Sequence, residues 1–535
     1  MPATLNFPGV YIDELPSGVR TISGVATSIT AFIGRALRGK LNEPTTISSF
    51  GDFERVFGGL WQDSTLGYAV RAYFQNGGSQ AVVVRLFHER DKTNSTASVV
   101  VGGAAAEKLT LQAASPGRWG EGLRAAVDHD VTAAAAQRVG LPVSDLFNLT
   151  VTDTTGGASE VLRNVTFRAN HPRNLTQVLR NESTLVVVGS MSATARPPAV
   201  ADNVTVAVRA LEDKKGTQKD IDDARAAQAA SDGDPLAAAD YLKSEGSKEG
   251  LFALLKTDLF NLLNIPPHGF DSGDLETTVI SAAAKLCEDR RALLIVDPPL
   301  AWNTVDKAIS GVATLGTVSR NAAVFFPRLR APDLLRDGQL VDFAPGGAVA
   351  GVFARTDATR GVWKAPAGTE AVLNGVPALS IPLTDLEIGR LNPLGINCLR
   401  SAPAAGRVVW GARTREGDDR LASEWKYVPI RRLALFIEES LYRGTQWVVF
   451  EPNDEPLWAQ IRLNLGAFMQ DLFRQGAFQG KTPREAYFVK VDRETTTQSD
   501  INNGIVNILV GFAPLRPAEF VVIKIQQIAG SLAGA

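Results

Sequence analysis

Residues 291–299 read Arg291-Ala292-Leu293-Leu294-Ile295-Val296-Asp297-Pro298-Pro299, an apolar run without alternation that two prolines bring to a stop. A strand apolar on both sides is buried on both faces, which is the mark of a parallel sheet covered by helices. A helical pattern from Thr277 to Asp289 lies directly upstream, and a second helix-then-strand unit follows from Val305 to Phe326. The alternation predicts an α/β fold. The N-terminal part repeats it, with strand-like Ser28 to Gly34, a helix around Ser49 to Phe57, a helix from Leu66 to Asn76 that Gly77 stops, and a buried strand from Gln80 to Leu86.

Between these α/β stretches, residues 91–250 shift to Thr, Ala, Asn and Val, with short alternating runs broken by Gly-Gly pairs, and predict an inserted β-rich domain. Its end, Glu212 to Lys248, is Ala-rich and charged with few large apolar residues, so a solvated helix or linker is expected there. Toward the C-terminus two amphipathic helices are predicted. Ile430, Leu433, Phe436, Ile437 and Leu441 share one face of the first, and Leu457, Ile461, Leu465, Phe468 and Leu472 one face of the second. The expected division is an arm with the first strand at 1–35, a core at 36–90 with 251–390, the insertion at 91–250, a further domain at 391–517 and a terminal strand at 518–535. The fold class is mixed α/β and multi-domain.

The chain has 535 residues, enough for several cores. Its 55 basic and 57 acidic side chains nearly cancel, so no broad positive field exists to gather nucleic acid. Cys287 and Cys398 are too few for a disulfide framework or a zinc site. The first residues carry no basic and apolar leader and no apolar run approaches 18 residues, so neither a secretion signal nor membrane insertion is expected.

Candidate chemistry is thin. Gly476-Ala477-Phe478-Gln479-Gly480-Lys481-Thr482 is one residue short of a phosphate-binding loop and follows a helix where a strand is needed. Gly346-Gly347-Ala348-Val349-Ala350-Gly351 lacks the dinucleotide spacing. Asp297 sits at the carboxyl end of a buried strand, where α/β enzymes keep catalytic carboxylates, but the prolines after it favour a turn-capping role. The four histidines lie far apart without ligand spacing. No catalytic, cofactor or metal residues are assigned.

Both ends of the chain are β-prone instead. Phe7 to Leu15, flanked by prolines and glycines, is an extended arm that continues to Ile33, and Ala518 to Ile528 is a long apolar run with little charge to blunt a strand edge. Two such ends suggest linkage between copies, through Val10, Tyr11, Ile12, Ile22 and Val25 at one end and Phe520, Val521, Val522, Ile523 and Ile525 at the other.

Many segments together resemble one family. They include Pro8-Gly9-Val10-Tyr11-Ile12-Asp13-Glu14, Phe57-Gly58-Gly59, Asn76-Gly77-Gly78 and Asp297-Pro298-Pro299. Further on come Pro345 to Gly351 with Ala354 to Pro366, Leu391-Asn392-Pro393-Leu394-Gly395, Trp410 to Thr414 and Tyr427 to Arg432. Phe450-Glu451-Pro452-Asn453, Asp492 to Thr497 and Gly511 to Val521 complete the series. The chain resembles the sheath proteins of contractile phage tails and of related injection systems, and residues 91–250 match that family poorly. The resemblance implies a structural subunit, not an enzyme, that polymerises helically around an inner tube and contracts from a metastable extended state. It also implies no cofactor, cytoplasmic assembly, and as partners other copies of the chain, an inner tube protein, baseplate proteins and terminal caps. The 391–517 domain would face inward, with Lys426, Arg431 and Arg432 against an acidic tube; a solvated helix end is the alternative for these three. A non-contractile baseplate component and an α/β enzyme built on Asp297 are the competing readings of the whole.

Overall fold

The computed structural model of the chain describes residues 21–90, 95–101, 107–200, 230–270 and 273–523. Two compact units emerge. The larger comprises Ser28–Arg355 and Ala367–Leu421; the smaller gathers the chain up to Thr27, Thr356–Pro366 and everything from Ala422 onward.

The larger unit is organised by an eight-stranded sheet in the order Gly406–Val409, Ile396–Ala402, Ala322–Phe326, Leu293–Val296, Leu262–Asn264, Thr30–Gly34, Ala81–Arg85, Thr45–Ile47. The six inner strands run parallel, and the outermost strand at each side is antiparallel to its neighbour. Every residue of Thr30–Gly34, Ala81–Arg85, Leu293–Val296 and Ala322–Phe326 is buried, as a sheet covered on both faces requires. The mixed α/β fold read from the sequence is therefore the fold observed. The strands Ile396–Ala402 and Gly406–Val409 belong to this sheet, so the C-terminal unit begins at Ala422 and not at residue 391. Pairing of Ile396 with Val324 is a long-range event that local pattern does not encode.

The helices sit where their caps place them. Ser49 accepts from the Asp52 N–H to start Phe50–Phe57, and Thr304 accepts from the Lys307 N–H to start Val305–Gly311. The helix Gly346–Arg360 is buried over Gly346–Ala354. A Cβ on Gly347 would lie 2.1 Å from the Ala69 carbonyl oxygen, and one on Gly351 would lie 2.4 Å from that of Tyr73. The run that failed as a dinucleotide motif is thus a contact surface, bare enough for one helix backbone to rest on the helix Leu66–Gln75.

The insertion folds as two antiparallel three-stranded sheets. One holds Ser98–Val101, Leu109–Ala113 and Val186–Met191; the other holds Leu123–Asp128, Leu146–Asp153 and Ser159–Thr166. Leu111, Leu123, Phe147, Val151 and Val186 lie in one shared core, which matches the β-rich reading. Of the predicted charged linker, residues 201–229 fall outside the described residues.

Arg85 fastens the insertion to the sheet. Its guanidinium is 1% exposed and donates to the carbonyls of Ala36 (2.9 Å), Gly39 (2.8 Å), Leu37 (3.2 Å) and Pro116 (2.7 Å). Burial pushes its pKa down to about 9, so it is still charged at neutral pH. A second tie joins Arg38 to the buried Asp153 at 2.5 Å.

The smaller unit packs two helices, Val428–Gly444 and Glu455–Arg474, around Leu433, Ile437, Trp458, Ile461 and Leu465. Asp454 caps the second by accepting from the Leu457 N–H, and Gly476, at φ 81°, lies in the left-handed region just past its end.

Replacing Arg85 by Met removes four donors and strands carbonyls in the interior. At about 1–3 kcal/mol for an unsatisfied buried group, the variant is expected to lose about 3 kcal/mol, read as a clear fall in the midpoint of thermal unfolding.

Candidate functional site

Residues 487–512 form a small ribbon of the C-terminal unit with exposed apolar side chains. Tyr487–Lys490 and Leu509–Phe512 pair antiparallel in a two-stranded sheet, and among the described residues no third strand joins them. Alternation turns Tyr487, Val489, Val510 and Phe512 to the core of the small unit, and leaves Phe488 (52%) and Leu509 (51%) exposed on the other face. A two-stranded ribbon is marginal alone, and open edges are templates for a further strand. The Tyr487–Lys490 strand ends in Lys490, bonded to Glu494, a charge of the kind that discourages indiscriminate pairing.

The chain leaving this ribbon forms neither helix nor strand over residues 513–523. Tyr427 Oη donates to Glu519 Oε2 at 3.1 Å, and beyond that point Phe520, Val521, Val522 and Ile523 are 75%, 80%, 78% and 80% exposed. Four large apolar side chains in succession so open to water have no packing partner among the described residues. The described part of 518–528 forms no paired strand, and Ile525 lies outside the described residues.

At the other end, Val10, Tyr11 and Ile12 lie outside the described residues. Ile22 and Val25, expected to reach a neighbour, are held by their own unit. Ile22 is 6% exposed in the small core, and the Val25 N–H donates to Ser440 Oγ at 3.2 Å. Gly24 rests against the Phe436 ring, where a Cβ would stand only 2.8 Å from it. Residues 22–25 therefore anchor any arm that precedes them.

Of the three basic residues expected at an inner surface, two are buried. The Arg432 side chain is 3% exposed and forms a two-pronged pair with Asp357 (2.8 and 2.6 Å), itself 5% exposed, while also donating to the Thr27 carbonyl at 2.8 Å. Arg431 is 6% exposed, pairs with Glu438 at 3.1 Å and stacks on Trp425 at 5.0 Å. Neither is a solvated helix end: Asp357 and the Thr27 carbonyl hold Arg432, and Glu438 and the Trp425 ring hold Arg431. Lys426 alone is half-buried, its ammonium 5.4 Å from the Tyr427 ring.

Asp297 is a structural carboxylate. It accepts from the Gly346 N–H at 2.6 Å, the first residue of the helix Gly346–Arg360, and from Asn264 Nδ2 at 2.9 Å. A negative charge at a helix start is favourable. Burial still dominates and pushes its pKa up to about 6 against those two hydrogen bonds. The cavity beside it measures about 20 Å³, room for about one water. Around Gly476 to Thr482, the Lys481 N–H is used by Glu485 and the Gln479 N–H by Ala513, so the loop's amides are not turned to a phosphate.

Sequence reasoning missed Phe450. It is fully exposed at φ 70°, a left-handed backbone that a non-glycine residue adopts at a cost, on the loop joining the two helices of the small unit. The only local signal was an aromatic residue next to Glu451-Pro452 in a loop.

Comparison with known proteins places two family models in tandem on the chain. The phage tail sheath protein central domain matches residues 246–415, and the phage tail sheath C-terminal domain matches residues 422–528. A prophage major tail sheath protein of Pseudomonas aeruginosa (strain UCBPP-PA14) is 28% identical over 288 residues, 52% of this chain and 69% of that protein. Among solved structures, the sheath of an extracellular contractile injection system in its contracted state is 22% identical, with a TM-score of 0.57 over 98% of this chain and 99% of that one. The sheath tail protein of Listeria innocua is 13% identical, with a TM-score of 0.57 over 92% and 96% of the two chains.

Asp357→Ala is expected to leave the Arg432 charge buried without its partner and to destabilise the small unit by about 3–5 kcal/mol, seen as an early transition in thermal or urea unfolding. Asp297 gives a pH signature. Its folded pKa, about 6, lies above the ordinary 3.8, so the folded state holds the proton more tightly and stability falls as pH rises from about 4 through 6. Asp297→Asn removes that fall: relative to wild type it should gain about 3 kcal/mol between pH 4 and pH 7.5, measured as the difference in unfolding midpoints at the two pH values.

Proposed function

Since the chain belongs to the phage tail sheath family, we propose that it is the repeating subunit of a contractile sheath, polymerised helically around an inner tube and shortening from a metastable extended state to drive that tube forward. The observation that carries this reading is the run Phe520–Ile523, apolar and open to solvent just past the Glu519 tether, on the same unit as a two-stranded ribbon with open edges. A donor segment and an acceptor edge on one chain make a heterologous contact, and such contacts that do not close generate helices. Residues 518–528 of one copy extend the ribbon 487–512 of a neighbour. The N-terminal arm before Ile22 adds a second link.

Strand pairing keeps copies connected while the units of each subunit change their packing with neighbours, so shortening needs no dissociation. The energy is stored in subunit packing behind a kinetic barrier, and no nucleotide or catalytic group takes part. The one-water cavity at Asp297 fits that reading. Further partners are the inner tube protein, with Lys426 toward its acidic surface, and baseplate and cap proteins at the ends. Assembly takes place in the bacterial cytoplasm; among the described residues no helix is long and apolar enough to cross a membrane.

Electron microscopy of the purified chain is expected to show hollow helical tubes. Removal of residues 518–535 should abolish the tubes and leave a monomer with unchanged circular dichroism and unfolding midpoint. Tubes of wild-type length from the truncated chain would refute the donor-strand model.

A further inference from the structure

The larger unit contains a cavity of about 260 Å³ with no part in the strand linkage. Tyr68, Ala69, Leu329, Leu334 and Phe343 give it an apolar lining, and Arg71 also faces it. A cavity of roughly 150 Å³ already holds a benzene ring. Arg71 has no ion-pair or hydrogen-bond partner among the described residues, an unusual condition for a half-buried guanidinium. The site therefore asks for an aromatic group with a negative charge next to it.

The chain itself displays such a group. Phe450 is 103% exposed, and φ 70° is the kind of backbone departure that persists where function uses it. The following residue, Glu451, is exposed and likewise has no side-chain partner among the described residues. Val449 beside it is 59% exposed, which widens the apolar knob.

We propose that Phe450 of one copy inserts into the cavity lined by Tyr68, Leu329, Leu334 and Phe343 of a second copy, with Glu451 of the first paired to Arg71 of the second. Knob and hole sit at different places on the same chain, so the contact is heterologous, the kind that generates a helix where its rotation does not close a ring. A desolvated aromatic anchor flanked by a charge pair is the usual make-up of an interface hot spot. This contact lies apart from the terminal segments and adds a second specificity to polymerisation; it rests on the reading that copies of the chain polymerise.

The test uses the full-length chain. Phe450→Ala should raise the concentration needed for tube formation at least about tenfold without moving the unfolding midpoint. Arg71→Glu should do the same, and Arg71→Glu combined with Glu451→Arg should restore tubes to within about threefold of wild type. A chain carrying Phe450→Cys and Leu334→Cys, assembled above the raised concentration that loss of the Phe450 ring imposes, should give a ladder of disulfide-linked oligomers when its tubes are oxidised, whereas either single variant should not; native Cys287 and Cys398 are buried. Tubes from the double variant that give no ladder on oxidation, or a ladder from Phe450→Cys alone, would overturn the knob-in-hole contact while leaving the sheath reading intact. A wild-type chain that forms no tubes would overturn both. In particles assembled with the inner tube protein, a cross-link from residue 450 to that protein instead of to another copy would also overturn it.

Discussion

A parallel sheet covered on both faces leaves its helices little freedom, and the distance at which Gly346–Arg360 can approach Leu66–Gln75 sets the larger unit. Gly347 and Gly351 bring the two backbones together where any side chain would collide with the Ala69 and Tyr73 carbonyls. The same helix begins on the Asp297 carboxylate at the end of Leu293–Val296, so its axial position is fixed by a hydrogen bond and its depth by the two glycines. A charge is buried to achieve this. The cost, visible in the raised pKa of Asp297, is met by a helix start and an amide rather than by a counter-ion in contact. The chemistry that resembles a catalytic carboxylate is here an alignment device.

How much of this was legible beforehand follows the range of the interactions involved. The strands Ala81–Arg85 and Leu293–Val296 and the helix Thr277–Asp289 are local facts of composition and capping, and they lie where the pattern puts them. Residues 396–409 were assigned to the wrong unit because their partner strand, Ala322–Phe326, is about seventy residues away and nothing in their own pattern names it. Arg431 and Arg432 illustrate a subtler limit. An amphipathic stripe predicts which side of a helix faces its nearest apolar neighbour, but whether the polar side meets water depends on groups outside the stripe: Asp357 and Thr27, distant in sequence, for Arg432, and Trp425 for Arg431. Ile22 and Val25 failed for the complementary reason: a β-prone, Pro- and Gly-flanked segment is extended, and extendedness says nothing about whose surface it lies on.

The segments proposed for linkage between copies were legible in part. Phe520–Ile523 stood out as too apolar for an exposed end, and exposed they are. The acceptor ribbon did not stand out, since Tyr487–Lys490 and Leu509–Phe512 are four residues each and become a ribbon only across an eighteen-residue excursion, Val491 to Ile508. Phe450 carried still less signal, because a lone aromatic residue in a loop is normally half-covered. The three features share a physical character. Each is a place where the described residues leave an apolar group or a strand edge uncovered.

The insertion has a different significance. The chain leaves the sheet at Arg85 and returns at Leu262, on opposite sides of the Thr30–Gly34 strand; between them the strands from Ser98 to Met191 form a pair of small sheets with their own interior, while Leu236, Tyr241, Leu251, Leu254 and Phe260 pack into the core of the large sheet. It is moored by carbonyl groups, through Arg85 to Pro116, more than by side-chain identity. A module fastened in this way can be lengthened, trimmed or exchanged without reordering a strand of the sheet, so its size and sequence are uncoupled from the framework that carries it.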